Sequence, residues 1–260
     1  MGNFIKTYWK TLLFFAIAGI IGGFFTGIFV LASYPPEMQQ QLLDELTAAG
    51  LGEFSPDIII GVITAMQAAG YGIALGAAGI WLGKKTGLWK NENKITKKPL
   101  IASIIVAIIG GMALILFDIL FFGKYSEIIM ESYNAKPTIS FLLASVIYGG
   151  VIEEVMLRLF WMSFVAFVLW KIFDRKNEHP STAILITANM IAALLFAASH
   201  LPATATMIGL SPMIIFRCFL LNGGIGLLFG WLYRKYGLRY SMIAHGGCHI
   251  VSKLIWILFI

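Results

Sequence analysis

The chain has 260 residues, of which 59% are hydrophobic and 12% charged. A soluble domain carries about 25% charged residues, so a water-soluble globular domain is excluded and an integral membrane protein is indicated. The net charge of +6 does not point to nucleic acid, because the basic residues lie in short clusters between apolar runs.

The apolar runs predict an all-α, polytopic transmembrane bundle of about seven spans: 11–33, 58–83, 99–122, 138–170, 181–200, 211–233 and 240–260. Each is about 20 residues or longer, enough to cross a bilayer core. The first run follows Lys6 and Lys10. It is too long for a signal peptide and no clear cleavage site follows it, so it reads as a retained helix. It carries Gly19, Gly23 and Gly27; the second carries Gly72, Gly76, Gly79 and Gly83; the sixth carries Gly226 and Gly230. Such spacings let membrane helices approach closely. Lys/Arg residues cluster before span one, between spans two and three, after span four and after span six, whereas the 34–57 connection holds five acidic residues and no Lys or Arg. An N-terminus in the cytoplasm puts 14 of 19 basic residues on that side. Residues 1–137 form a three-span region without motifs, and residues 138–260 form a core of about four spans that holds the polar groups of interest.

Span four contains VIEEVMLRLF, residues 151–160. A carboxylate at mid-membrane costs about 3 kcal/mol on insertion scales, so two adjacent ones need an explanation. Glu154 and Arg158 are four apart, glutamate first, the favourable order for an ion pair on one helix face. Glu153 points about 100° away and has no local partner. It is the free carboxylate, the type of group a general base requires.

Three of the four histidines fall in apolar segments. His200 ends span five, and His245 and His249 share one face of span seven at a spacing of four. His179 lies in a charged loop and is expected to be solvated. Three buried histidines on two spans, with a glutamate pair on a third, predict one polar site. Glu153 and His200 lie about 20 residues either side of the 174–180 turn, which sets them at similar depth in a hairpin. His245 is roughly 8 Å inside its span, so either the hairpin protrudes or span seven is sunk. Asp118 and Arg217 lie near the outer ends of their spans and are expected to snorkel or pair, and Lys253 is likewise near the outer face. Cys218 and Cys248 both sit in apolar runs with no disulfide framework. Cys248 reads as packing rather than as a nucleophile.

At these residues the sequence resembles the CAAX-protease and bacteriocin-processing (CPBP, or Abi) family of intramembrane proteases. The family's E-E-x-x-x-R matches Glu153-Glu154-V-M-L-Arg158, its F-x-x-x-H matches Phe196-A-A-S-His200, and its H-x-x-x-N or a variant matches His245-G-G-C-His249. The resemblance covers roughly residues 138–255. It implies a glutamate-dependent endopeptidase in which Glu153 activates a water and His200 helps to hold it. Glu154 and Arg158 orient the site, and His245 with residue 249 stabilises the oxyanion. No cofactor and no metal are implied. At position 249 this chain has His where Asn is commoner, and histidine can donate a hydrogen bond but can also bind metal.

Three alternatives stand beside that reading. Glu153, His200, His245 and His249 could ligate zinc, although no H-E-x-x-H is present. The buried carboxylates could form a proton or ion relay of a transporter. The chain could also be a scaffold or immunity protein without catalysis. The expected partners are a peptide or protein substrate at the membrane (lipidated, membrane-associated or small and secreted) and the lipid bilayer, with no nucleic acid. The short chain suggests a multi-pass protein of a bacterial cell membrane, and no signal sets its oligomeric state.

Overall fold

The computed structural model describes residues 2–90 and 94–260. Among these residues there is no strand. Seven helices are long and apolar enough to cross a membrane: α1 Phe4–Ala32, α2 Pro56–Thr86, α3 Lys97–Lys124, α4 Ile139–Phe173, α5 Thr182–Ile208, α6 Pro212–Tyr236 and α7 Leu238–Phe259. They match the seven predicted runs, and several extend beyond them. The acidic 34–57 connection also contains a helix, Pro36–Ala48, with Pro36 at the first helical position, where its missing N–H costs nothing. Large apolar side chains such as Met66, Ile109 and Phe259 face outward, the exterior that a bilayer covers. The protein is a multi-pass membrane protein.

The glycine spacings do the expected packing. A Cβ on Gly19 would lie 2.7 Å from the Ala68 backbone, and one on Gly27 would lie 2.6 Å from the Ile60 carbonyl. Any larger residue would therefore push α1 off α2. α4 passes α7 just as closely, with Gly150 set against the Gly246 backbone. This crossing brings the glutamates of α4 to the histidines of α7.

Two helices depart from regular winding. α4 has i→i+5 hydrogen bonding over Ala144–Glu153 and again over Val155–Met162, a wide turn that recurs at functional sites. α5 breaks at His200, because Pro202 supplies no N–H and its ring clashes with the carbonyl four residues earlier. The depth question is answered by length. α4 runs 35 residues, more than a bilayer core needs, so its C-terminal turns extend past the start of α7 while Glu153 and Glu154 stay level with His245.

Candidate active site

Glu154 is fully buried and anchors the site. Arg158 Nη1 lies 3.4 Å from its Oε1, His245 Nδ1 bonds the same oxygen at 2.8 Å, and the Ser241 hydroxyl donates to Oε2. Arg158, itself buried, donates from Nη2 to the Gly226 carbonyl at 3.1 Å. Its guanidinium also lies over the Phe196 ring, 4.5 Å from the centroid. The predicted Glu154–Arg158 pair is thus present, and its charges are further satisfied from α6 and α7. A carboxylate holding three partners is a structural anion with little capacity left for a reacting proton.

Glu153 is placed differently. Its side chain is 21% exposed, and His245 faces it, with Nε2 3.8 Å from Oε2. His245 therefore stands between the two glutamates, Nδ1 on Glu154 and Nε2 toward Glu153. Its ring is fixed by stacking on Phe229 at 4.5 Å and by the edge of Phe196 at 5.6 Å.

His200 is positioned by the break in α5. Its backbone N–H turns to the Ala197 carbonyl, leaving the Phe196 carbonyl to be taken by the His200 ring, Nδ1 to O at 2.8 Å. A carbonyl only accepts, so Nδ1 carries the proton and Nε2 of the neutral ring is an acceptor. Proline two residues on thereby fixes the tautomer of the histidine.

His200, His245 and His249 line one cavity of about 30 Å³ together with Asn222, room for a water molecule. Glu153 does not line this cavity and meets it through His245. The Nε2 atoms of His249 and His245 lie 3.2 and 3.6 Å from the point where a Cβ on Gly149 would sit, so both converge on the space above that glycine. Among the described residues no three His, Cys, Asp or Glu side chains are grouped as ligands for a metal ion.

The remaining polar residues resolve as follows. His179 is exposed. Cys248 packs with Phe229 and Ile225 in an apolar cluster. Asp118 and Arg217 are paired, Nε–Oδ1 at 2.6 Å and Nη2–Oδ2 at 2.5 Å. Tyr133 donates to Asp118 at 2.7 Å. Burial, then the neighbouring Asp118 charge, pushes the Tyr133 phenol well above its usual range, which keeps it a donor.

Sequence reasoning missed Ser241 and Asn222. Ser241 lies one turn before His245, so the same spacing that linked His245 to His249 could have found it. Asn222 is a single amide in an apolar run, and its only signal was that isolation.

Residues 135–251 match the family model described as type II CAAX prenyl endopeptidase, Rce1-like. The match covers all three motifs on which the family resemblance rested. No curated protein and no solved structure matches the chain.

Proposed function

From the match of residues 135–251 to the Rce1-like CAAX endopeptidase family model, we propose that the protein is a membrane endopeptidase that hydrolyses a peptide bond within the membrane using a water activated by Glu153. The observation that carries this is the asymmetry of the glutamates. Glu154 is buried under Arg158, Ser241 and His245, whereas Glu153 is partly open and faces His245 Nε2. The open carboxylate accepts the proton of the attacking water.

In this reading His200, with Nε2 as acceptor, orients a water in the histidine-lined cavity; Glu153, outside that cavity, takes its proton by way of His245 Nε2, 3.8 Å from Glu153 Oε2. His245 and His249, whose Nε2 atoms converge over Gly149, stabilise the oxyanion as the tetrahedral intermediate forms. His245 can donate from Nε2 only when protonated, since Nδ1 already serves Glu154. Residues 138–260 carry the chemistry, and residues 1–137 hold α4 and α7 in place. The lysine-rich end of the bundle faces the cytoplasm. The substrate is a membrane-associated, lipidated or small secreted peptide.

The experiment is incubation of purified protein in lipid vesicles with apolar peptides, with and without a zinc chelator, followed by mass spectrometry of new termini. Cleavage that persists under chelation is expected. No cleavage of any peptide would contradict the peptidase reading. Loss on chelation, restored by zinc, would transfer the chemistry to a metal held by the histidines.

A further inference from the structure

A cavity of about 330 Å³ lies at the lysine-rich end of the bundle, and none of the three site histidines lines it. Three segments meet there: α1 through Lys10 and Phe14, the connection after α2 through Trp89 and Lys90, and the start of α7 through Arg239. A cavity of this size can take a small-molecule group.

Its polar wall carries one sign of charge. Lys10, Lys90 and Arg239 line it, and among the described residues none of the three lies within ion-pair distance of a carboxylate. Lys90 is held in place by donating from Nζ to the Lys235 carbonyl at 2.8 Å. The indole N–H of Trp89 is buried and has no acceptor among the described residues, and a buried donor left unpaired is costly. α7 also starts here. Gly237 and Leu238 stand in the lining, no side chain caps the helix, and the first backbone N–H groups of a helix have no intrahelical partner. Cations, an unpaired donor and the positive end of a helix dipole are all groups that the oxygens of an anion satisfy.

The other wall is apolar and belongs to a span. Phe14, one turn along α1 from Lys10, is 52% exposed on the exterior that a bilayer covers. An anion carried on an acyl chain can therefore set its charge among Lys10, Lys90 and Arg239 and its chain along α1. We propose that this cavity binds the phosphate of an anionic lipid headgroup, between α1, the α2–α3 connection and the first turn of α7. Basic pockets between membrane helices hold such headgroups. Ser241, which donates to Glu154, lies in that same turn of α7. A bound headgroup thus ties the start of the helix that carries His245 and His249 to α1.

The test uses the full-length protein in neutral detergent, titrated with phosphatidylglycerol, with phosphatidylcholine and with inorganic phosphate. Bound lipid is counted by native mass spectrometry, and the thermal midpoint is recorded. Phosphatidylglycerol should bind at one site about 10-fold or more tightly than phosphatidylcholine and should raise the midpoint, while inorganic phosphate competes only weakly. Lys10→Gln with Arg239→Gln changes two exposed side chains and should bring the two lipids to within about 3-fold of each other. Trp89→Phe keeps a ring and removes the N–H, and should weaken phosphatidylglycerol binding several-fold. Arg175→Gln with Lys176→Gln removes two charges at the same end of the bundle but outside the cavity, and should leave the preference as it is. Equal binding of the two lipids would overturn the proposal. So would a preference that survives Lys10→Gln with Arg239→Gln, binding unchanged by Trp89→Phe, or an equal loss in the Arg175 and Lys176 variant. Inorganic phosphate that competes as well as the lipid, with the same rise in midpoint, would assign the site to a free anion and overturn its lipid source.

Discussion

Glu153 and Glu154 are adjacent in sequence and opposite in circumstance. Their division into one paired and one open carboxylate was legible, because an i, i+4 glutamate–arginine pair is a local property of a helix. The partners that complete it come from Gly226 and Ser241 on other helices, which no local spacing could give. Replacing Glu154 with Ala leaves Arg158 buried and unpaired, at a cost of about 3–5 kcal/mol. The folded yield and thermal midpoint in detergent should fall. The double variant Glu154→Gln with Arg158→Met should recover stability better than activity, and a double variant less stable than either single one would show that the two residues do not act as a pair. His249 gives a second test. Asn can donate to an oxyanion as His does, so His249→Asn should keep substantial turnover, whereas His249→Ala should lose roughly 10²–10³-fold. Equal damage from both, with zinc in the purified protein, would mark a metal ligand.

At the scale of the helix, the spans and their glycine faces were legible because hydropathy and small-residue spacing are direct physical signals. The winding of α4 was not. The i→i+5 turns over Ala144–Glu153 and Val155–Met162 arise from packing against α1, α2 and α7, and a period read from sequence assumes regular turns. The break in α5 had a signal in Pro202, but its consequence for the His200 ring needed the freed Phe196 carbonyl to be seen. Pro202→Ala should allow α5 to continue, return the Phe196 carbonyl to the His200 backbone N–H and free the ring. Turnover should fall by about 10-fold or more as the positioned group is lost, with helix content by circular dichroism unchanged. Full turnover in this variant would show that the break does not position His200.

For the whole molecule, the three motifs pointed to residues that the fold brings together and left the cavities unseen. Lys253 looked like another cation near a helix end. Only the assembled bundle buries it. In the proposed reading the bundle serves the chemistry by carrying a partly open carboxylate into the membrane and holding its neighbour rigid. That division of labour is tested most directly by turnover of one cleavable peptide in lipid vesicles by wild type, Glu153→Gln and Glu154→Gln, with the thermal midpoint of each. Glu153→Gln should melt like the wild type and lose at least about 10²-fold in hydrolysis, while Glu154→Gln should lose stability as well. Near-wild-type hydrolysis by Glu153→Gln would contradict the account.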